Sequence, residues 1–200
     1  MTEFNEPEDI QLVASWRDGD LSAFETVVRR YQAKLFNISL RILGNYEDAG
    51  EVVQDSFLAA HRGIDSFRHK SRLFTWLTSI TINTARNRAT KNRSRQHLEI
   101  SGHPQPHGEC EEIPEREPTS TAPSALEQLE RHELHLKLRS CIEQLGADFR
   151  EVLVLRDVEN MAYEEVCSAL GIRPGTLKSR LFRAREMIKV CLKRSLGEFL

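Results

Sequence analysis

The sequence feature that most constrains the fold is a proline-rich acidic stretch between two regions of helical periodicity. Five of the seven prolines lie between positions 104 and 123, among glycines, glutamates and few apolar residues. Such a composition cannot bury enough apolar surface to offset the entropy lost on ordering, so it predicts a flexible linker. The 200 residues are therefore expected to form two small domains, at 1–95 and 124–200, joined by a linker at 96–123.

Charge follows the same division. The whole chain carries a net charge of −2, but the net charges of residues 1–60, 61–95, 96–130 and 131–200 are −6, +8, −7 and +3. The near-neutral total thus hides two basic blocks separated by an acidic one. Each basic block is a candidate surface for the phosphates of a nucleic acid.

Apolar spacing predicts helices in both domains, and so an all-α fold. Asp20 is the expected N-cap of a helix whose apolar residues recur as far as Leu35. Two further helices are expected in the first domain, at about 47–62 and 72–92. In the second domain, helical spacing covers four segments, at about 126–145, 148–158, 162–170 and 174–194.

The last two predicted helices are separated by Gly171 and Pro174. Glycine suits the left-handed residue that follows a helix, and proline suits the first turn of the next one. A short helix, a tight turn and a longer basic helix predict a helix-turn-helix.

The final predicted helix has one apolar stripe and one polar, basic face. An apolar side would hold the helix on its domain, while short polar and arginine side chains would reach base edges and phosphates. Thr176, Ser179 and Arg183 share this polar face, because their spacing brings them to one side of a helix. The candidate DNA-binding residues are Arg173, Thr176, Lys178, Ser179, Arg180, Arg183 and Arg185.

Motifs in both domains point to one family. The second domain contains Tyr163-Glu-Glu-Val, Leu170-Gly-Ile and Gly175-Thr-Leu-Lys-Ser-Arg-Leu-Phe-Arg-Ala-Arg185. The first contains Gly19-Asp20, Glu47-Asp48-Ala, Val53-Gln-Asp-Ser-Phe-Leu58 and Asn83-Thr-Ala-Arg86. In this order and at this length, the motifs resemble the extracytoplasmic-function (ECF, group 4) sigma factors of bacterial RNA polymerase.

The resemblance implies a task for each domain. Residues 1–95 would be sigma region 2, which binds core polymerase and recognises and melts the −10 element. Residues 124–200 would be sigma region 4, whose helix-turn-helix reads the −35 element. The helix that docks on the polymerase β′ clamp would present Asp48, Glu51, Gln54 and Asp55.

Strand opening requires a surface that holds unstacked bases. By resemblance, the loop after the second predicted helix would capture a flipped base, and the next helix would hold the upstream edge of the −10 element. Trp76 is kept out of this set, because an aromatic residue at helical spacing usually belongs to a core. The −10 candidates are Ser66, Phe67, Arg68, Lys70, Ser71, Thr75, Asn83, Arg86 and Asn87.

The resemblance also implies partners: promoter DNA, the β′ clamp and β flap of core polymerase, and an anti-sigma factor in a stress response. We expect a cytoplasmic protein without membrane insertion, monomeric when free or bound 1:1 to a partner. It would not be an enzyme and would need no cofactor, because the polymerase supplies catalysis. The alternatives are a helix-turn-helix regulator of duplex DNA and, less favoured, a DNA-processing enzyme such as a recombinase.

Cysteine and histidine give weaker signals. The four cysteines lie far apart, three of them in helical patterns, so free thiols are expected rather than a disulfide framework. His97, His103, His107 and Cys110 could suggest metal sensing, but a polar linker without a bound metal is the preferred interpretation. Two interpretations of the acidic linker stay open: an extended mimic of RNA in the polymerase channel, or a spacer.

One departure from the family pattern concerns the helix at 162–170. Ala162 stands where the family often has a capping serine, and alanine cannot supply that cap. Asn160 could replace it if the helix began earlier.

Overall fold

The computed structural model describes residues 7–98 and 125–197, with side chains from 8 to 92 and from 131 to 197. Every regular element in these ranges is helical, which confirms the all-α fold. The N-terminal bundle consists of α1 (Pro7–Arg17), α2 (Leu21–Leu43), α3 (Tyr46–Gly63) and α4 (Leu73–Leu98). The C-terminal bundle consists of α5 (Ala125–Glu143), α6 (Ala147–Leu153), α7 (Tyr163–Leu170) and α8 (Pro174–Ser195).

Helix α2 begins and ends at residues suited to those positions. Asp20 is its N-cap, as predicted, and accepts a hydrogen bond from the Ser22 N–H at 2.8 Å. Gly44 ends the helix with φ of 72°, a left-handed conformation that glycine adopts without steric cost. The helix extends beyond Leu35 because Ile38 continues the buried stripe.

The core of the N-terminal bundle lies between α2, α3 and α4. Val27 and Leu35 from α2 meet Val52 from α3 and Leu73 and Leu77 from α4, all of them almost fully buried. Burial of these apolar side chains is the main force that holds the three helices together. It therefore fixes α3 and α4, the helices to which the resemblance assigns polymerase and −10 contacts.

Helix α1 was not predicted, and a buried polar contact joins it to α2. Asp9 accepts hydrogen bonds from the Tyr31 hydroxyl and from Arg30 Nη1, the latter at 2.7 Å. Burial, together with the hydrogen bond to Asp9, raises the pKa of Tyr31 above its ordinary value. Val13 and Trp16 complete the contact as buried apolar residues.

The C-terminal bundle contains the predicted helix-turn-helix. Gly171 follows α7 with φ of 65°, and Pro174 is the first residue of α8. Leu177 and Leu181 are buried on the side of α8 that faces the bundle. The helix predicted at 148–158 is divided into α6 and a π-helical segment, Val154–Val158.

The cysteines differ from the expectation of free thiols. Cys141 on α5 and Cys191 on α8 form a disulfide, with a Cα–Cα distance of 5.8 Å. Both lie in the apolar series of their helices, and the packing of α5 against α8 brings those series together. Cys167 is a free, half-buried thiol, and partial burial together with the nearby Glu164 raises its pKa.

Helix α7 keeps half of a capping box without a capping serine. The Ala162 N–H donates to Glu165 Oε2 at 2.9 Å. The helix starts at Tyr163 with Ala162 as its N-cap, so the suggestion that Asn160 replaces the cap is wrong. Glu165 is thereby held in place at the first turn of α7.

Two further expectations concern membranes and metals. Among the helices described here, none is both long and apolar enough to cross a bilayer. The part of the chain with described side chains contains no cluster of acidic, histidine and cysteine residues suited to a metal ion. The side chain of His97, all of His103, His107 and Cys110, and most of the predicted linker lie outside the described residues.

The two bundles pack against each other, an arrangement that the sequence did not predict. Helix α4 lies on α7, and α2 contacts α5, α6 and the π-helical segment. Arg150 donates to the carbonyl oxygens of Ile42 at 2.5 Å and Leu145 at 3.0 Å, so it joins α2 to the C-terminal bundle. Arg41 and Glu159 form a second connection, at 3.4 Å.

Candidate nucleic-acid interface

The loop between α3 and α4 begins with a short 3₁₀ helix, Ile64–Ser66. Ser66 Oγ donates to the Gly63 carbonyl at 2.6 Å, and His69 adopts a left-handed φ of 54°. Arg17 of α1 reaches under the loop and donates to the carbonyls of Ile64 and Phe67. Helix α1 therefore supports the loop, a role that the sequence did not suggest.

The predicted −10 residues of this loop differ in exposure. Ser66, Arg68 and Lys70 are exposed, and Ser71 is half-buried. Phe67 is 3% exposed, and its ring lies 5.1 Å from that of Trp76, centroid to centroid. The loop thus presents polar and basic groups, while Phe67 packs beneath them.

The candidates on α4 fall on two faces. Asn83 and Asn87 are exposed, one helical turn apart. Thr75 is 1% exposed, and its hydroxyl lies 3.3 Å from Glu165 Oε1. One face of α4 is therefore open, and the other meets the C-terminal bundle.

Arg86 lies on the face of α4 that meets the C-terminal bundle. Its Nε donates to Glu151 Oε1 at 2.8 Å and its Nη2 to Oε2 at 2.6 Å. The carboxylate is 1% exposed, and its hydrogen bonds raise the pKa of the guanidinium. Arg72, just before α4, approaches Glu165 with Nε 3.5 Å from Oε1.

The −35 candidates also separate into two groups. Arg173, Lys178, Ser179 and Arg183 are exposed, and Thr176 is half-buried. Arg180 is bound to Asp148 at 2.6 Å, and Arg185 donates to both oxygens of Asp157, at 2.9 and 2.7 Å. Ion pairs inside the C-terminal bundle thus engage two of the seven candidates and leave the Ser179–Arg183 face open.

The predicted polymerase-binding residues of α3 are divided in the same way. Arg88 of α4 donates to Asp48 at 2.7 Å and also pairs with Glu51. Asn92 adds a hydrogen bond to Asp48 at 2.8 Å. Gln54 and Asp55 are exposed, so the end of this face nearer the loop is the more accessible part.

Glu151 and Glu165 are not among the site residues predicted from the sequence. Their spacing indicates that both lie on buried helix faces. Glu151 lies one turn before the buried Leu155, and Glu165 lies one turn before the buried Ala169. A glutamate on an apolar face requires a cationic or hydrogen-bonding partner. The sequence did not identify that partner, which for Glu151 lies 65 residues away.

Two family models match this chain. The model of sigma-70 region 2 covers residues 27–95, which include the loop and most of α4. The model of sigma-70 region 4 covers residues 135–188, which include the helix-turn-helix.

Relatives that match along nearly the whole chain are also sigma factors. The RNA polymerase sigma-H factor of Pseudomonas aeruginosa is 33% identical over 198 residues, covering 96% of this chain and 97% of that protein. The ECF RNA polymerase sigma-E factor of Escherichia coli is 35% identical over 187 residues, covering 90% and 92%.

Solved structures share the fold. CnrH in complex with the cytosolic domain of CnrY has a TM-score of 0.66 at 22% identity, over 94% of this chain and 99% of that one. Sigma factor RpoE of Bartonella quintana, in complex with the anti-sigma factor NepR, has a TM-score of 0.62 at 23% identity, over 85% and 96%. Together with the two matched regions and the whole-length relatives, this fold shows that the chain belongs to the ECF sigma factors of bacterial RNA polymerase.

Proposed function

We propose that this alternative sigma factor reads promoters with two separate surfaces while α3 holds it on core polymerase. The observation that carries the proposal is the pairing, in one chain, of a basic loop-and-helix surface with a helix-turn-helix. A regulator that only bound duplex DNA would need the second surface alone. Residues 1–95 would act as region 2, residues 124–200 as region 4, and residues 96–123 as the linker.

For the −35 element, the open face of α8 supplies the reading groups. Ser179 and Arg183 are exposed one turn apart, opposite the buried Leu177 and Leu181. An arginine fork pairs with the O6 and N7 of guanine in the major groove, and serine bonds to either kind of base pair. Arg173 and Lys178 lie beside them for phosphate contacts.

For the −10 element, the loop and α4 act together on a melted strand. Ser66, Arg68 and Lys70 offer hydrogen bonds and positive charge to an unpaired base and its phosphates. Asn83 and Asn87, exposed on α4, suit base edges at the upstream side.

Core polymerase is the principal protein partner. Gln54 and Asp55 are exposed on α3 and would contact the β′ clamp, while the C-terminal bundle would contact the β flap. Opposite charges at such an interface accelerate docking. The protein would act in the cytoplasm, where polymerase works. It would add neither catalysis nor a cofactor, since the polymerase forms the RNA bond.

The solved relatives suggest how the protein is restrained. One protein of this fold was solved with the cytosolic domain of CnrY, and another with the anti-sigma factor NepR. We infer that an anti-sigma factor binds this chain 1:1 and that the free protein is monomeric.

A footprint of the assembled complex tests the proposal. Core polymerase with this protein should protect the −10 and −35 regions of a selected promoter together and make thymines near −10 reactive to permanganate. Core polymerase alone is the control. Protection of duplex without thymine reactivity, with or without core, would support the simple regulator instead.

A further inference from the structure

The surface of α4 that faces the C-terminal bundle carries two of the residues predicted to bind −10 DNA, Thr75 and Arg86. We propose that the carboxylates of Glu151 and Glu165 act as intramolecular substitutes for DNA phosphate and keep the Thr75 and Arg86 side of the −10 surface covered until the bundles separate. This inference rests on the proposed function, since it concerns the regulation of the same surface. It also predicts that the closed structure and −10 DNA compete for the same side chains.

Arg86 is the side chain for which the Glu151 carboxylate and a DNA phosphate would compete. Both of its hydrogen bonds to Glu151 are short, and they come from the two nitrogens of one guanidinium edge. Carboxylate and phosphate oxygens suit this fork equally well, so the same guanidinium edge cannot hold both at once. The Arg86 side chain is 39% exposed, but the carboxylate is buried and occupies the fork.

Glu165 engages a second pair of groups at the start of α4. It contacts the Thr75 hydroxyl and the Arg72 guanidinium through one oxygen. Its other oxygen accepts the N–H of Ala162, which fixes the carboxylate at the N-terminus of α7. Thr75 is 1% exposed in this arrangement, so a base or phosphate can reach it only after α7 moves away.

Contacts outside the reading surfaces stabilise the same closed state. Arg150 donates to the Ile42 carbonyl near the C-terminus of α2, where helix carbonyls lack partners of their own. Arg41 pairs with Glu159, which is largely buried. These contacts close the bundles without using a predicted DNA-binding residue.

Promoter geometry requires the bundles to separate. The −10 and −35 elements lie about 25 base pairs apart, which is roughly 85 Å of B-form DNA. A compact chain of 200 residues has a radius of gyration of about 16 Å and a diameter of about 40 Å. A chain that contacts both elements must therefore be open, and the interface between α4 and α7 is then lost.

The test uses the full-length protein with the double substitution Glu151→Gln and Glu165→Gln. Glutamine keeps the shape, and it can still close the box at Ala162. A matched control, Glu133→Gln with Glu164→Gln, removes the same charge from two exposed sites. The readouts are affinity of the free protein for a single-stranded −10 oligonucleotide, radius of gyration by X-ray scattering, and transcription with core polymerase.

We expect the double variant to bind the oligonucleotide at least about fivefold more tightly than the control and to be more extended. Affinity and radius equal to those of the control would overturn the proposal. If circular dichroism shows that the double variant does not fold, Glu159→Gln replaces it. That variant should raise affinity and radius above the control values, and unchanged values would overturn the proposal.

The transcription readout separates this inference from the proposed function. Failure of the wild-type protein to initiate with core polymerase would count against sigma activity, whatever the oligonucleotide result. Normal initiation by the wild type, with no gain in affinity or radius in the double variant, would contradict the closed state and leave the proposed sigma activity intact.

Discussion

Arg86 and Glu151 are joined by two hydrogen bonds, of 2.8 and 2.6 Å, across the boundary between the two helical bundles. The pair links a residue assigned to promoter DNA with a carboxylate that is 1% exposed. In the proposed closed state, both the stability of the fold and the access of DNA to Arg86 depend on this contact.

A double-mutant cycle on this pair should show strong coupling. Arg86→Ala leaves the buried Glu151 carboxylate without its partner, which we expect to lower the free energy of unfolding by about 2 kcal/mol. Adding Glu151→Gln should recover part of that loss, because the buried charge is gone. The measurement is denaturant unfolding of all four proteins. Arg29→Ala breaks an exposed pair with Glu25 and should cost no more than about 0.5 kcal/mol. Additive effects in the cycle would contradict the coupling.

Substitutions on the open face of α8 should alter promoter choice alone. Ser179→Ala and Arg183→Ala remove groups directed away from the buried stripe, so the fold should be unaffected. Loss of an arginine–base contact typically costs about 1–3 kcal/mol, or roughly 5- to 150-fold in promoter affinity. Promoter binding by the holoenzyme and affinity for core polymerase should be measured together. Reduced core affinity with unchanged −35 preference would contradict the assignment.

Gln54→Ala with Asp55→Ala should have the opposite effect. Both side chains are exposed on α3, and their loss should weaken retention on a β′ clamp fragment without changing the promoters used. Glu25→Ala on α2 is the control for loss of an exposed acid. Retention equal to that of the wild type would remove this part of α3 from the polymerase interface.

Reduction of the Cys141–Cys191 disulfide should destabilise the C-terminal bundle. The bond closes a loop with a sequence separation of 50 residues. A disulfide typically stabilises the folded state by about 2–4 kcal/mol. A reducing agent should therefore lower the melting temperature of the wild type by roughly 5–10 °C. The variant Cys191→Ala should melt at one temperature with or without reductant. A wild-type melting temperature insensitive to reduction would show that the bond does not contribute.

Helix ends and buried helix faces could be predicted, because residues close in the sequence determine them. Asp20 and Gly171 mark helix ends through chemistry that acts within a few residues, so the start of α2 and the helix-turn-helix were predicted correctly. The stripe through Leu177 and Leu181 likewise fixed which face of α8 is buried.

What the sequence could not supply was pairing between distant elements. Helix α1 packs on α2 through the contact of Asp9 with Tyr31 and the burial of Val13 and Trp16, and the sequence pattern alone does not reveal that packing. The disulfide required knowledge that α5 and α8 pack together. The burial of Glu151 against Arg86 depends on the docking of two bundles, which the acidic linker gave no reason to expect.

A sigma factor makes core polymerase begin transcription at promoters of its own choice. The most direct measurement is transcription of a library of genomic fragments by core polymerase plus this protein, with every start site mapped. We expect starts that depend on the protein and lie downstream of one shared pair of −10 and −35 elements. Ser179→Ala and Arg183→Ala should redistribute those starts. Tight binding of the protein to duplex fragments, with no start above the level of core polymerase alone, would contradict sigma activity.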